Sequence, residues 1–442
     1  MNQICPPVII GGGLAGLSAL YHYPEVASLY ERSSVLGGTA GSYKVGDFTF
    51  DHTGHLLHLH NDYTKKLIPE LLKDNLVERK RNAWIFSNGT YTRYPFQANL
   101  YGLPKEVIDS CLDGLAEVKD LPVPSTTASF AEWAKSLYGK GIFEHFMEPY
   151  NRKLYGTTTD MTAEWCGQFV PRVSFEEAQR GATEDMTTAH GYNTSFFYPK
   201  EGGIQVLSEA LAAPKRHRIH LESEMESVYW RSRIVAFKRA NQVIDTHYSK
   251  LVVTIPLPEL LKRLDPFPEE LREPMSHLQV RPITCVNIGV KRPNISDKSW
   301  VYFPEDKYIF YRAGFPASFT PNVVPEGCSS VYVEIGGENK DPKLLYRVLA
   351  DLKDAGILVA GDEVVAHSIL PIKYAYVLYT PGRTKAMEQI TDWLNKRHIY
   401  LVGRYAKMQY GFMEQAILEG KAVAEQMVKE IPHKVIWRKH RV

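Results

Sequence analysis

The chain has 442 residues, more than one compact core accommodates, which suits two or three domains. Its composition is that of a globular protein, 44% hydrophobic and 23% charged, with 26 Tyr and 18 Phe to line a sizeable pocket. The net charge of only +2 asks for neither nucleic acid nor an acidic surface as partner. Val8 to Ile10 reads as a short apolar strand. Gly11, Gly13 and Gly16 then form Gly-x-Gly-x-x-Gly at the opening of a helix, which the spacing clips at Pro24. A second strand, Ala27 to Tyr30, ends in Glu31, where an adenosine ribose would lie in a βαβ unit. From about Leu103 to His190 apolar residues recur at helical spacing. Lys250 to Pro256 reads as a strand returning to the first sheet, and about Arg281 to Leu370 is strand-rich. "IYLVGRYA" and the text after it read as a strand, a turn and a long terminal helix, and the basic run Lys434 to Arg441 as a solvated tail.

The cysteines (Cys5, Cys111, Cys166, Cys285, Cys328) are scattered without a Cys-x-x-Cys pair, suggesting neither a disulfide framework nor a thiolate metal site. His52, His55, His58 and His60 lie close together, but no carboxylate or cysteine stands at ligand spacing, so no metal is expected. Neither a signal-like start nor an apolar run of membrane-spanning length is present, and a reducing cytoplasm is the expectation.

A lone glycine motif is weak evidence. Here it follows a strand, precedes a helix and is answered by Glu31. Arg32-(x4)-Gly37-Gly38 after the second strand is similar to the pattern of FAD-binding, amine-oxidase-like proteins. The expected cofactor is therefore FAD, its pyrophosphate at the positive end of the first helix. Gly11, Gly13, Gly16, Glu31, Arg32 and Gly38 are the cofactor-binding candidates.

Longer segments narrow the resemblance: "FDHTGHLLH" (Phe50 to His58), "YPFQANLYGLPKE" (Tyr94 to Glu106), "GKGIFEHFMEPYNRKLYG" (Gly139 to Gly156), "DKSWVYFPEDKYIFYRA" (Asp297 to Ala313) and "GRYAKMQY" (Gly403 to Tyr410). Together they resemble the UDP-galactopyranose mutases of the eukaryotic type. The resemblance implies an isomerase that interconverts pyranose and furanose forms of a UDP-sugar, in polysaccharide or natural-product assembly. Its FAD is active when reduced and serves as a nucleophile, with no net electron transfer. It also implies an external electron donor such as NAD(P)H and leaves a homo-oligomer open.

The same resemblance implies roles for single residues. His55 stands beside the flavin, or is a core histidine in a turn; Arg81 lies beside the flavin, or in a surface salt bridge. Tyr94 and Gln97 hold uracil, with Phe96 facing away if the segment is extended. Asn151 and Tyr155 share a helix face toward sugar and diphosphate, unless Tyr155 only packs the helix. Asn193 sits on a flap or in a simple turn. Trp300 and Tyr302 project from one strand face, Arg312 clamps the diphosphate, and Tyr376 and Tyr410 hydrogen-bond it. Arg404 stands near the cofactor. His55, Arg312, Tyr376 and Tyr410 form the expected catalytic set. The match fails at Phe169, where the family carries a second diphosphate arginine that Arg172 would have to replace. It also fails at His58 and Tyr155, which stand for other aromatic residues, and near Glu414 and Gln415. The alternative is a redox flavoenzyme of the amine-oxidase type.

The expected fold is mixed α/β. A Rossmann-type FAD-binding domain comprises residues 1–90, 198–275 and 385–442. A helical insertion spans 100–197, and an antiparallel β-sheet substrate domain comprises 91–99 and 276–384.

Overall fold

The computed structural model describes residues 5–167, 169–186 and 194–430. The fold is mixed α/β. A five-stranded parallel sheet runs in the order Ile399–Leu401, Leu251–Val253, Val8–Ile10, Ser28–Tyr30, Ile219–His220. Its central strands Val8–Ile10 and Leu251–Val253 are apolar and buried along their whole length, as a sheet covered on both faces requires. The helix Leu14–His22 ends one residue before its C-cap Tyr23, ahead of Pro24. It crosses the terminal helix Met413–Lys429 so closely that a Cβ on Gly420 would lie 2.4 Å from the Ala15 carbonyl oxygen. The Ser18 hydroxyl donates to the Ile417 carbonyl at 2.6 Å across the same contact.

A seven-stranded sheet faces this unit. Its order is Val364–Leu378, Gln279–Val290, Ser329–Gly336, Arg312–Gly314, Trp300–Tyr302, Ala83–Ser87, Thr90–Arg93. All neighbours are antiparallel except Trp300–Tyr302 with Ala83–Ser87, which run parallel. The helices Lys105–Val118, Phe130–Ile142, Glu148–Tyr155 and Phe175–Thr183 form the helical part between them. A π-helical stretch, Phe143–Met147, leads directly into Glu148–Tyr155 and sets the face on which Asn151 and Tyr155 stand. The segment after Tyr94 is not extended: Phe96–Ala98 is a single 3-10 turn, and Phe96 and Gln97 are both buried.

Candidate active site

One cavity of about 1160 Å³ runs between the parallel sheet and the seven-stranded sheet. That exceeds the roughly 300–1,000 Å³ of a pocket for one small ligand, leaving room for a cofactor and a second molecule. At one end its wall is the glycine loop. Gly11 has φ +105°, a conformation that glycine adopts without cost. The Gly37 amide donates to the Gly12 carbonyl at 2.8 Å, and a Cβ on Gly38 would stand 3.4 Å from the Gly13 Cα. The two glycine loops therefore touch backbone to backbone and leave a cradle free of side chains. The Glu31 carboxylate accepts the Gly12 amide at 2.6 Å and the Ser33 amide at 2.8 Å, which fixes it beside the cradle. Gly11, Gly13, Glu31, Arg32, Gly38 and Arg404 all line the cavity. Gly16 does not; it allows the helix to approach the turn, since a Cβ there would lie 2.0 Å from the Gly11 carbonyl oxygen. Beyond the cradle, Glu259 ties the helix Leu257–Leu261 to the strand Val364–Leu378. It accepts from Lys373 at 3.0 Å and from the Tyr374 hydroxyl, and pairs with Arg263 at 2.6 Å. Burial alone would raise this carboxyl, but those donors hold it down to about 2.

The other end is aromatic and cationic. Tyr94, Trp300, Tyr302, Arg312 and Tyr376 line it, with His55, His58, Arg81 and Phe169. Trp300 and Tyr302 alternate along one strand and present the same face, and the Tyr94 and Tyr302 rings lie 5.2 Å apart. Arg81 sits over the Tyr94 ring at 5.2 Å. The His55 Nδ1 lies 3.1 Å from the Thr53 carbonyl, so a donated proton there leaves Nε2 as an acceptor. Burial pushes this imidazole down to about 4, and it is neutral near pH 7. His58 is likewise pushed down to about 4 by burial, its Nδ1 3.2 Å from the Ser195 carbonyl. Among the described residues no group of three or more His, Cys, Asp or Glu gathers as metal ligands, and no disulfide forms.

The partner of Arg312 is Glu334. Its Nε and Nη2 donate to the two carboxylate oxygens at 2.9 and 2.7 Å, and Glu334 has no solvent exposure. Sequence reasoning missed this residue, although one carboxylate in the otherwise apolar strand "SVYVEIG" is the signal that finds it. Tyr332, two residues earlier, shares its face and lines the cavity, and leaves no room for a Cβ on Gly54 or Gly314.

Four expected contacts lie behind the wall. The Gln97 amide donates to the Pro171 carbonyl at 2.7 Å, and the Asn151 amide to the Met147 carbonyl at 2.6 Å. The Tyr410 hydroxyl donates to the Val377 carbonyl at 2.7 Å. Tyr155 stacks on Tyr410 at 6.2 Å and meets Tyr376 edge-on at 5.6 Å. Tyr155 and Tyr410 thus form a layer behind Tyr376. Phe169 packs against Tyr410 and Phe412, whereas Arg172 is exposed and does not line the cavity. Glu414 accepts from the amides of His60 and Asn61 at 2.8 and 2.9 Å, holding that turn rather than facing the cavity. Asn193 lies outside the described residues, as does the basic run Lys434 to Arg441. No helix among the described residues is long and apolar enough to cross a membrane.

The family model for flavin-containing amine oxidoreductases matches residues 22–428. Among solved structures, the fold overlaps that of a reduced UDP-galactopyranose mutase with a TM-score of 0.90 at 24% identity, covering 97% of this chain and 94% of the other. A putative protoporphyrinogen oxidase from an Exiguobacterium species overlaps with a TM-score of 0.74 at 18% identity, over 97% and 100% of the two chains. A cyclohexylamine oxidase from Brevibacterium oxydans overlaps at 0.67 and 15% identity, over 97% and 99%.

Proposed function

The chain belongs to the flavin-containing amine oxidoreductase family and is an FAD protein, and from that premise we propose that it is a nucleotide-sugar mutase acting on a UDP-sugar. The observation that carries this reading is the second half of the cavity, where tyrosines, Trp300 and arginines converge beyond the glycine cradle. Such a wall suits a pyrimidine and a diphosphate better than the apolar chain of an amine. The greater overlap with the mutase fold than with the cyclohexylamine oxidase supports the same choice.

The cradle and the fixed Glu31 fit FAD, and the buried indole N–H of Trp300, a residue that lines the cavity, has no hydrogen-bond partner within the protein. When bound and reduced, FAD supplies the nucleophile for the anomeric carbon. The protein's own residues do the holding. Tyr94 and Tyr302 offer ring faces to uracil, while Arg312 and Tyr376 donate to the diphosphate and keep the leaving group at hand for return. Neutral His55 offers an acceptor without adding positive charge beside the flavin site. Tyr155 and Tyr410 support Tyr376 from behind, and Gln97 and Asn151 set the helical wall.

One observation favours a redox amine-oxidase-type reaction instead: the apolar contact of Phe169 with Phe412 beside this end of the cavity. The test is incubation of dithionite-reduced and oxidised holoprotein with UDP-galactopyranose and related UDP-sugars, followed by chromatography for the furanose form. Conversion by the reduced protein alone supports the mutase. Oxygen consumption with amines, and no conversion of any UDP-sugar, would transfer the assignment to the oxidase class.

A further inference from the structure

Two of the arginines that line the cavity, Arg312 and Arg404, differ in their charge balance. Arg312 is neutralised by Glu334, its carboxylate partner, at hydrogen-bonding distance through two nitrogens. Arg404 is not. Its Nη2 donates to the Ala375 carbonyl at 2.8 Å, and its guanidinium lies 5.4, 5.6 and 5.2 Å from the Tyr376, Tyr405 and Tyr410 rings. Its Nε is buried with no acceptor, and among the described residues it forms no salt bridge. Aromatic faces and one carbonyl attract a cation, but they do not compensate a partly buried full charge as a carboxylate does. The position also matters. Arg404 lines the cavity, and Tyr376 feels the positive charge of both Arg312 and Arg404. His55 feels the positive charge of Arg404 as well.

We propose that Arg404 supplies the uncompensated positive charge that recognises the substrate's diphosphate, while the Arg312–Glu334 pair contributes hydrogen bonds but no net charge. This rests on the UDP-sugar reading and deepens it. It also answers how a site with Phe169 in place of an arginine still attracts an anion. The charge comes from the turn after the strand Ile399–Leu401, whose Arg404 lies 5.2 Å from the same Tyr410 ring that Phe169 packs against.

The experiment titrates oxidised holoprotein with UDP, uridine and inorganic pyrophosphate, reading the flavin difference spectrum, for wild type, Arg404→Met and Arg404→Lys. FAD per protein is measured alongside. The expected result for Arg404→Met is a loss of UDP affinity of about 30-fold, the scale of one buried charge-assisted contact. Pyrophosphate binding disappears with it, and uridine affinity and FAD content stay as in wild type. Arg404→Lys, which keeps the charge but not the fork, recovers part of the UDP affinity and guards against a simple folding defect. UDP affinity within about threefold of wild type in Arg404→Met overturns the proposal, as does an equal loss of UDP and uridine. Loss of FAD with unchanged UDP affinity after refilling also overturns it and makes Arg404 a cofactor residue. A wild type that answers to pyrophosphate but not to UDP ends the UDP-sugar reading and leaves the anion role of Arg404 standing. A wild type that answers to neither ends both.

Discussion

Replacing Glu334 by Leu strips Arg312 of its counter-charge, and the structure sets the size of the effect. The carboxylate has no exposure, the arginine side chain is 21% exposed, and both bonds are of good length. Removing one member of such a buried pair costs about 3–5 kcal/mol, because the remaining charge is left without compensation. Arg312→Met alone should cost a similar amount. The double replacement leaves an apolar pair, and its stability should return to within about 1–2 kcal/mol of wild type. Urea unfolding of the four holoproteins closes the cycle, with a coupling energy of several kcal/mol expected. UDP titration separates stability from binding: the double variant should be folded and loaded with FAD yet bind UDP poorly, because the Arg312 donors are gone. A double variant as unstable as the sum of the singles would refute the pairing argument. Wild-type UDP affinity in that variant would remove Arg312 from the diphosphate site.

The cradle makes opposite predictions for two glycines. At Gly13 the nearest atom to an added Cβ is the Gly37 carbonyl oxygen at 3.8 Å, so Gly13→Ala should fold normally and lose FAD affinity by about tenfold or more, measured by flavin fluorescence. At Gly16 the Cβ would meet backbone at 2.0 Å, and Gly16→Ala should lose thermal stability before any cofactor is added. His58 gives a pH signature. A histidine whose folded pKa lies near 4 binds its proton more tightly once unfolded, so its contribution is complete above pH 6.5 and is lost as the pH falls toward 4. Between pH 7 and 5 the loss is about 2 kcal/mol, and His58→Phe should remove that part of the pH dependence of urea unfolding. An unchanged slope would mean that His58 is not held neutral by burial. Tyr94→Ala should weaken uridine binding by about 1–3 kcal/mol if its ring carries the base, and equal uridine affinity would place the base elsewhere.

The parts legible in the sequence were those written by local rules. The strand, glycine turn, helix and acid of residues 8–31 declare themselves because backbone sterics and a helix N-terminus act over a few residues. Arg312 could likewise be recognised from its apolar strand as an arginine in need of a partner. What the partner was could not be read there. Glu334 lies in another strand, and only the pairing Arg312↔Glu334 across the sheet register puts fork against carboxylate. Tertiary packing alone also decided that Gln97 turns to Pro171, that Tyr155 and Tyr410 stand behind Tyr376, and that Arg404, unlike Arg312, has no carboxylate partner among the described residues. Residue types and spacing thus determined the cofactor fold and the inventory of tyrosines and arginines. Which of those groups face the cavity, and which retain their charge there, depends on partners from remote strands, because burial and compensation are properties of neighbours in space.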